Sequence, residues 1–389
     1  MRTFHLSAIV VVLTGLGFGG LSPGGLAAHA EPSSTGTNPF ANARLYVNPE
    51  FAQLTQAAAA RVPAEAARLH KLATYPTAVW LDTIARVPSV SRHLDEAARQ
   101  QAAGGQPVVP VFVIYDLPVR DCAAKASSGE LGLHDEQRYQ HDYIDAIAAQ
   151  FHAHAAQKIA VIVEPDSLAN LATNLDIDHC AAAAPVYRRS IAYAIAKLSE
   201  PHVAVYLDAA HGGWLGWKRN LDKMIGIWKE VLGAAGGAQR IRGFAVNVSN
   251  YNPTHVENGR RGGPDEPGPD ETAYVGDLQR ALAQTGITGK GFVIDTSRNG
   301  RMGIRSTSAN WCNIQGAGLG ERPRVAPSAA FDAYLWIKIP GESDGTSDPV
   351  APRFDTNCAS ADAAPHAPQA GQPFVPYLVD LVKNANPPL

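Results

Sequence analysis

The stretch Ile159-Ala-Val-Ile-Val-Glu-Pro-Asp-Ser-Leu-Ala-Asn170 decides how the rest of the chain is interpreted. Its first five residues, 159–163, are apolar and mostly β-branched, which predicts a fully buried strand. The strand ends at Glu164-Pro165-Asp166, and a polar segment typical of a helix start follows. Two carboxylates therefore leave a buried strand at its C-terminal end, where α/β enzymes place their chemistry. The alternative is that Asp166 or Ser167 merely caps the next helix.

The 389-residue chain is close to neutral, with a formal net charge of −3. Binding to nucleic acid or to an anionic membrane would need a basic surplus, so neither partner is predicted. Residues 1–30 differ from the rest: Arg2 precedes the apolar run 9–16, and Ala28-His29-Ala30 closes the segment. This pattern predicts a signal peptide and a secreted protein, because the apolar run is too short to span a bilayer. The alternative is a disordered apolar N-terminus.

Residues 31–38 are a short polar leader, and residues 39–389 are predicted to form the catalytic domain. The four cysteines are an even number in an exported chain, which predicts two disulfides with three possible pairings. They are Cys122, Cys180, Cys312 and Cys358. By length alone the mature chain could form one large domain or two small ones.

Strand patterns alternate with helical patterns along this region. Predicted strands cover residues 77–81, 108–115, 159–163, 203–207, 243–248, 291–294 and 334–337. Predicted helices cover residues 49–74, 135–157, 184–199, 217–232 and 271–285. Continuous apolar strands that alternate with helices predict a parallel sheet covered by helices. Seven strands without a linker favour a single closed or nearly closed α/β barrel, and a doubly wound open sheet is the alternative. Two irregular segments stand out: 251–270 is predicted as a solvated loop, and 340–373 as a functional or disordered loop.

Polar and aromatic residues follow nearly every predicted strand, and in a parallel barrel the strand ends share one rim. This rim would hold many carboxylates and amides, one histidine, and four tryptophans: Trp80, Trp214, Trp217 and Trp311. An indole face stacks on the apolar face of a sugar ring, while acids and amides bond its hydroxyls. Cutting a glycosidic bond needs one protonated carboxyl for the leaving oxygen and a second group for the water. The rim therefore suits a sugar polymer as substrate.

Other chemistries have weaker support in the sequence. It contains no G-x-G-x-x-G, P-loop, H-E-x-x-H or G-x-S-x-G motif, and no cysteine pair with zinc spacing. Asp208 and His211 could ligate a metal, but no second histidine lies near them. We therefore predict an enzyme without a cofactor or a metal.

At the strand ends the sequence resembles glycoside hydrolase family 6, the cellobiohydrolases and endoglucanases that cut β-1,4-glucan. The matching stretches follow the family's order and cover nearly all of the chain after Asn38. They are Tyr115-Asp-Leu-Pro-Val-Arg-Asp-Cys122 with Ser127-Ser-Gly-Glu130, Val163-Glu-Pro-Asp-Ser-Leu-Ala-Asn-Leu171, Tyr206-Leu-Asp-Ala-Ala-His-Gly-Gly-Trp-Leu-Gly-Trp217, Gly243-Phe-Ala-Val-Asn-Val-Ser-Asn-Tyr-Asn252, Asp295-Thr-Ser-Arg-Asn-Gly300, Trp311-Cys-Asn-Ile-Gln-Gly-Ala-Gly318 and Trp336-Ile-Lys-Ile-Pro-Gly-Glu-Ser-Asp-Gly-Thr-Ser-Asp348.

The resemblance implies a distorted seven-stranded, TIM-like barrel whose long loops roof the cleft into a tunnel, and hydrolysis with inversion. By this match Asp166 is the general acid. Asp121 is the second aspartate, which keeps the acid protonated by raising its pKa and steadies the developing positive charge. Asp344 falls on the proposed base, Ser127 on a serine that relays water, and Tyr115 on a tyrosine that presses on the distorted sugar.

The same match implies a path for a cellulose or cello-oligosaccharide chain. Subsites toward its non-reducing end would be lined by Trp80, Trp311, Lys338 and Glu342. The leaving-group side would be lined by Asp208, His211, Trp214 and Asn250, with Trp217 further along. The family's pattern also pairs Cys122 with Cys180 and Cys312 with Cys358. Some residues have structural alternatives: core packing for each of the tryptophans, Trp80 and Trp336 above all, and an ion pair with Arg120 or another base for Asp121.

Loop length implies the mode of action. Segment 344–371 has the long form and is similar to that of fungal cellobiohydrolases, so we expect a monomer that releases cellobiose from the non-reducing end. The chain departs from the family's pattern at Val119, Ser128 and Pro373-Phe374, and an insert at 260–270 lies near the leaving-group side. The alternatives are an endoglucanase with an opened roof and a non-catalytic glucan-binding protein.

Overall fold

The structure is a computed structural model that describes Met1 and residues 37–389. The predicted signal peptide and most of the predicted leader lie outside the described residues. No helix in the described part is both long and apolar enough to cross a membrane.

The described chain is an α/β fold built on a curled, mostly parallel sheet. Its strands are β1 (Arg44–Leu45), β2 (Val79–Leu81), β3 (Val108–Val109), β4 (Val111–Ile114), β5 (Ile159–Val163), β6 (Val203–Asp208), β7 (Gly243–Val246), β8 (Gly291–Asp295), β9 (Arg324–Ser328) and β10 (Phe331–Leu335). Eight of these form one sheet in the order β2-β4-β5-β6-β7-β8-β10-β9, while β1 pairs only with β3. The β9 strand is antiparallel to β10 at the sheet's edge, and the other seven strands are parallel.

The parallel strands lie side by side in sequence order, so the reversal that defines a doubly wound sheet is absent from the described region. The first and last parallel strands, β2 and β10, approach each other next to their ends, where the Ala78 N–H donates to the Trp336 carbonyl at 3.0 Å. The prediction of an α/β fold with a mostly parallel sheet is therefore confirmed, with one additional antiparallel edge strand.

Helices cover the outer face of the sheet. They are α1 (Pro49–Arg61), α2 (Ala66–Leu72), α3 (Ser89–Gly104), α4 (Glu136–Arg138), α5 (Ala146–Ala153), α6 (Ser167–Thr173), α7 (Asp178–Leu198), α8 (Gly212–Leu215), α9 (Lys218–Ala234), α10 (Glu271–Ala283) and α11 (Val375–Lys383). A π-helical segment, Tyr139–Asp145, joins α4 to α5. Alternate strand residues pack inward, as Val113 and Ile162 do, or outward against the helices, as Phe112 and Val161 do. Both faces of the sheet are therefore buried, which explains the uninterrupted apolar runs.

Proline explains two errors in the predicted boundaries. The predicted helix 49–74 is broken after Arg61, because Pro63 has no N–H to continue the helix and starts a short 3-10 turn. The predicted strand 108–115 is likewise split at Pro110 into β3 and β4. The predicted helix 184–199 begins earlier, at Asp178, and holds Pro185 in its interior.

Helix α3 and strand β9 are not predicted from the sequence, and neither are the short elements β1 and α8. Helix α3 buries Val90, His93, Leu94 and Ala97 on one face. Strand β9 was missed too, and the last parallel strand lies at 331–335 rather than at the predicted 334–337.

The strand ends turn sharply, and this places side chains on the rim. Asp121, Glu164, Asp166 and Asn247 all have positive φ, although none is glycine. Such conformations cost roughly 1–3 kcal/mol each and cluster at functional sites. The structure also contains the disulfides Cys122–Cys180 and Cys312–Cys358, the pairing that the resemblance implies.

Candidate active site

A cleft of about 430 Å³ lies over the C-terminal ends of the parallel strands. All the predicted site residues except Asp208 and Trp217 line this cleft: Trp80, Tyr115, Asp121, Ser127, Asp166, His211, Trp214, Asn250, Trp311, Lys338, Glu342 and Asp344. Segments more than 250 residues apart in the chain therefore meet at one site, as the shared rim of a parallel sheet predicts.

Asp166 and Asp121 both line the cleft, where Asp121 is buried and Asp166 is half-buried. Burial, together with the nearby charges of Asp121 and Asp208, raises the pKa of Asp166 well above its usual value. Burial raises the pKa of Asp121 to about 6, although hydrogen bonds from Asn170 and Ser127 oppose this. The Asn170 amide donates to Asp121 Oδ1 at 3.1 Å. Asp166 is thus the carboxyl that stays protonated when Asp121 ionises.

Asp208 lies beneath Asp166 rather than on the wall of the cleft. Its Oδ2 accepts hydrogen bonds from the backbone N–H groups of Asp166 and Ala210, each at 3.0 Å. Only 4% of Asp208 is exposed. Its contact with the site runs through the backbone and the charge of Asp166. The capping alternative for Asp166 has no support here, because its side chain makes no cap hydrogen bond to α6 in the described structure.

Glu164, the other acid of the opening stretch, points away from the cleft. Its carboxylate accepts hydrogen bonds from the backbone N–H groups of Asp116 and Leu117 and from the Tyr139 hydroxyl, the last at 2.8 Å. Tyr139 belongs to the π-helical segment, as does Tyr143, whose hydroxyl bonds the Leu81 carbonyl and the Tyr115 N–H. Glu164, which follows β5, is therefore hydrogen-bonded to the segment that follows the neighbouring strand β4.

Asp344 is held as an ionised carboxylate. Its Oδ2 accepts from the Arg298 guanidinium at 2.6 Å, the Asn313 N–H at 2.8 Å and the Tyr251 hydroxyl at 3.1 Å. The Lys338 ammonium lies 3.5 Å from Oδ1. Arg298 and Lys338 lower the pKa of Asp344 against the effect of burial. A carboxylate so strongly paired is a weak proton acceptor.

Arg120 fixes the loop that carries Ser127, and it makes no ion pair with Asp121 within the described residues. Its guanidinium lies 4.3 Å from the Tyr115 ring centroid and donates to the carbonyls of Tyr115, Asp82 and Ser127, the last two at 2.8 Å. The alternative of an Arg120–Asp121 pair is therefore wrong. Arg120 instead holds Tyr115 and the Ser127 loop in one place.

Aromatic and charged side chains form the wall on the predicted non-reducing side. The Trp80 indole donates to the Ile337 carbonyl at 2.8 Å, packs edge-on against Tyr115 and lies near the Lys338 ammonium. Burial raises the pKa of Glu342 to about 7, and Lys338 opposes this shift. Trp336 is 1% exposed and belongs to the core, so the core alternative holds for Trp336 but not for Trp80.

The opposite end of the cleft carries His211, Trp214 and Asn250. The Trp214 indole donates to the Thr173 hydroxyl at 2.9 Å, and its ring lies 6.1 Å from that of His211. Trp217 lies outside the cleft wall and is 44% exposed. The insert reaches this region, because the Lys218 N–H donates to the Asp265 carbonyl at 3.0 Å.

Two loops meet above the cleft, around residues 123–130 and 345–371. Arg353 donates to the Ala126 carbonyl, and Asp355 accepts from the Lys125 backbone N–H at 2.8 Å. Ala126 packs on the Cys312–Cys358 disulfide. The contact is close enough to require glycine at 345, where a Cβ would lie 2.6 Å from both the Ala126 Cβ and the Cys358 Sγ. The long segment 340–373 is thus packed against the 123–130 loop.

Three residues that hold site residues or loops in place are not predicted from the sequence: Asn170, Arg298 and Arg353. Arg298 is fully buried beside Asp344, and the only sequence signal for it is the polar stretch 295–299 that follows a predicted strand. Asn170 lies one helical turn after Asp166, which places its amide on the same side of α6. Arg353 lies in a loop without periodicity, so no local pattern could reveal it.

Among the described residues, no group of three or more His, Cys, Asp or Glu side chains is arranged to hold a metal ion. The candidate ligands Asp208 and His211 are engaged elsewhere: Asp208 accepts two backbone hydrogen bonds, and His211 Nδ1 lies 3.0 Å from the Asn252 amide.

Comparisons with known proteins agree with this geometry. A family model described as glycosyl hydrolases family 6 matches residues 40–385. The 1,4-beta-D-glucan cellobiohydrolase C of Emericella nidulans is 40% identical over 362 residues, which cover 90% of this chain and 79% of that protein.

Solved structures are similar over nearly the same span. CcCel6C, a glycoside hydrolase family 6 enzyme from Coprinopsis cinerea, is 40% identical with a TM-score of 0.85, and the match covers 91% of this chain and 99% of that one. Cellobiohydrolase II (Cel6A) from Humicola insolens, in complex with glucose and cellotetraose, is 36% identical with a TM-score of 0.86 and coverage of 91% and 100%.

Proposed function

The chain belongs to glycosyl hydrolases family 6, and from this membership we propose how it acts as a cellobiohydrolase. It is a glycoside hydrolase whose substrate is a β-1,4-glucan chain, cellulose or a cello-oligosaccharide. The observation that carries the assignment is the pair of aspartates in the cleft, buried Asp121 and half-buried Asp166, both of which have raised pKa values. That pair is what acid-assisted cleavage of a glycosidic bond requires.

Asp166 is the general acid of this mechanism. It holds its proton more tightly than an exposed aspartate does, because desolvation and the charges of Asp121 and Asp208 raise its pKa. It donates its proton to the glycosidic oxygen as the bond to the anomeric carbon breaks. Asp121, ionised above about pH 6, stabilises the positive charge that develops on the ring. Asp208 supports Asp166 from below and does not itself touch the sugar.

Water attacks from the opposite face of the sugar and inverts the anomeric carbon. Asp344 is a poor candidate for the direct base, since Arg298 and Lys338 lower its pKa. We assign it the role of holding Lys338 and Arg298 in place, and we propose that the proton of the attacking water passes by way of Ser127 to the ionised Asp121. Tyr115 presses on the distorted sugar between these groups.

The substrate path follows the walls of the cleft. Trp80, Trp311, Lys338 and Glu342 bind the two sugars toward the non-reducing end, and His211, Trp214 and Asn250 bind the leaving chain. Trp217 offers an exposed indole beyond the cleft, where the chain emerges. The contacts of Arg353 and Asp355 with the 123–130 loop support a roofed tunnel over a seven-stranded barrel. A chain end threaded through such a tunnel releases cellobiose from the non-reducing end.

The remaining features of this proposal concern the whole protein. The two disulfides support secretion, since such bonds persist in oxidising compartments, with residues 1–30 as the signal peptide. Residues 39–389 form one catalytic domain that acts as a monomer without a cofactor or a metal. Light scattering of the secreted protein tests whether it is a monomer. Sequencing of its N-terminus tests whether the signal peptide is removed.

The test of function is a product profile on cellohexaose, read by chromatography for length and by NMR for the anomer. We expect α-configured cellobiose from the first turnovers. Asp166→Asn should lower kcat by about 10²–10⁴-fold, the range for loss of a general acid. The matched control, Asp176→Asn, changes an exposed aspartate and should leave the activity unchanged.

Asp166→Asn should lose far less activity on β-cellobiosyl fluoride, because fluoride departs without a proton from the enzyme. Near-normal turnover of cellohexaose by this variant would overturn the assignment of the acid, and a β-configured product would overturn inversion. Rapid viscosity loss of carboxymethylcellulose with little early cellobiose would indicate an open, endo-acting cleft instead of a tunnel. Tight glucan binding without any new reducing ends would indicate a binding protein.

A further inference from the structure

A polar network behind His211 has no part in the mechanism so far. It consists of Arg305, Asn252, Glu271 and His211, and we call it the Asn252 network. Arg305 is in the loop after β8, Asn252 follows β7, and Glu271 begins α10. Glu271 is fully buried, and His211 is 8% exposed at the cleft.

Arg305 fixes the orientation of the Asn252 amide. A guanidinium can only donate hydrogen bonds, so the atom that faces it must be an acceptor. Arg305 Nη2 lies 2.6 Å from Asn252 Oδ1, and its Nη1 lies 3.1 Å from the Oδ1 of Asn250. The Asn252 NH₂ group therefore points the other way.

This NH₂ group has two hydrogens and two partners. One partner is Glu271 Oε1 at 2.8 Å, and the other is His211 Nδ1 at 3.0 Å. Glu271 Oε1 also accepts from the Gly212 N–H at 2.8 Å, which holds the carboxylate in place. Because Asn252 donates to Nδ1, that nitrogen must be the acceptor, and the ring proton lies on Nε2.

The charges around His211 agree with a neutral ring. Burial and the nearby Arg305 lower the pKa of His211 to about 3. Glu271 is joined to the ring through Asn252, and burial raises the pKa of Glu271 to about 7. With Nδ1 turned toward Asn252, Nε2 is the ring nitrogen left for the cleft, which His211 lines.

We propose that Arg305 and Asn252 are positioning residues that lock His211 in its neutral Nε2–H tautomer, so that it donates a hydrogen bond to a hydroxyl of the sugar on the leaving-group side. The proposal rests on the proposed function, since it names what that side of the cleft recognises. The recognised group is an acceptor oxygen of a sugar, and a cation or a pure donor would find no partner there. The hydrogen bonds are donated in one direction: from Arg305 to Asn252, from Asn252 to His211, and from His211 to the substrate.

The tautomer is measured directly by ¹⁵N NMR of histidine-labelled, full-length secreted enzyme. The signals of His211 are identified by their loss in His211→Gln. We expect Nε2–H and an unprotonated Nδ1 in the wild type from about pH 5 to about pH 8, a range in which an ordinary histidine titrates.

Variants of the network test its direction. Arg305→Met removes the donor that orients Asn252 and should allow Nδ1 protonation, whereas Arg305→Lys keeps a donor-only group and should keep the tautomer. Asn252→Asp places an acceptor opposite Nδ1 and should make Nδ1 carry a proton. Arg301→Met, an exposed arginine in the same loop, is the matched control and should change nothing.

Two substrates separate this role from general damage to the site. With cellotetraose, loss of the hydrogen bond in Arg305→Met should lower kcat/KM by about three- to tenfold, mostly through KM. With β-cellobiosyl fluoride no sugar occupies the leaving-group side, so the same variant should match the wild type. An equal loss on both substrates would mean that Arg305 only supports the loop, and it would overturn the proposal.

Other outcomes also decide the matter. An Nδ1–H or charged His211 in the wild type, or an unchanged tautomer in Asn252→Asp, would overturn the inference while cellobiose release still supports the proposed function. A wild type that turns over neither substrate would overturn the proposed function itself, and the NMR result would stand independently of it.

Discussion

At the scale of single residues, Asp121 controls the acidity of Asp166. The Asp121 charge is one of the causes of the raised pKa of Asp166, and Asp121 itself has a pKa of about 6. In the proposed mechanism the active form needs Asp121 ionised and Asp166 protonated, which predicts a bell-shaped dependence of kcat/KM on pH for the coupled pair.

Asp121→Asn should therefore lower the pKa of Asp166. Because Asp166 must keep its proton, the alkaline limb of the pH profile should move to lower pH, and the acid limb near pH 6 should flatten. The loss of charge stabilisation should also lower kcat by about 10²–10³-fold. Initial rates on cellotetraose at several pH values check this, and an alkaline limb that stays in place would contradict it.

The buried pair of Asp344 and Arg298 stabilises the fold as well as the site. Arg298 is fully buried, and its guanidinium also bonds the Ser249 carbonyl. Asp344→Asn should destabilise the protein by about 3 kcal/mol, because it leaves a buried guanidinium without its countercharge. Asp348→Asn, which changes an exposed aspartate four residues later, should stay within about 0.5 kcal/mol. Urea unfolding midpoints measure both variants, and equal midpoints would contradict the pairing argument.

Site residues at strand ends could be predicted from the sequence, but the side chains that contact them could not. Asp166 and Asp121 could be assigned because each follows a readable strand inside a recognisable motif. The lowered pKa of Asp344 could not be predicted, since it depends on Arg298, which follows β8, and on the approach of Lys338, which follows the same strand as Asp344. The displacement of Asp208 from the cleft wall depends on the turn after β5, where Asp166 has a positive φ.

At the scale of elements, Arg353 joins the two loops that meet above the cleft, and its loss should open the tunnel that we propose. One lost hydrogen bond of about 1 kcal/mol would raise the population of an open roof by about fivefold. Arg353→Ala should therefore increase viscosity loss of carboxymethylcellulose per cellobiose released. Lys125→Ala is the matched control, because Lys125 contacts Asp355 through its backbone N–H, which the substitution keeps. An equal ratio in the two variants would show that Arg353 does not hold the roof.

Strands and helices with a clear apolar pattern were predicted, whereas a mostly polar helix and the strand at the edge of the sheet were not. The buried strand 159–163 was found with correct boundaries, because both of its faces are apolar. Helix α3 was missed although Val90, His93, Leu94 and Ala97 have helical spacing, since its composition is otherwise polar. Strand β9 lies at the sheet's edge, is mostly exposed and contains Pro327, so neither hydrophobicity nor propensity could reveal it.

At the scale of the whole molecule, the curled sheet buries acids along with its apolar core. Burial raises the pKa of Asp116 to about 8 and that of Glu164 to about 7. Glu271 and Glu342 are raised to about 7 for the same reason. Asp116 is fully buried, and neither of its carboxylate oxygens has a hydrogen-bond partner among the described residues.

These acids set how stability depends on pH. A carboxyl with a raised pKa holds its proton in the folded state at a pH where the unfolded chain has lost it, so its contribution is full below about pH 4 and is lost as the pH rises through its folded pKa. The free energy of unfolding should therefore fall between about pH 5 and about pH 8, by up to about 1.4 kcal/mol per pH unit for each such group. Asp344 has a lowered pKa, so its contribution is lost only in stronger acid.

Asp116→Asn removes the acid with the highest of these pKa values and should flatten that slope, most of all toward about pH 8. The slope is the decisive quantity, because a buried amide also lacks partners and lowers stability equally at every pH. Urea unfolding of the wild type, Asp116→Asn and the exposed control Asp176→Asn at a series of pH values measures it. If wild-type stability rises toward about pH 8, or if Asp116→Asn keeps the wild-type slope, then Asp116 is not the neutral buried acid that its surroundings require.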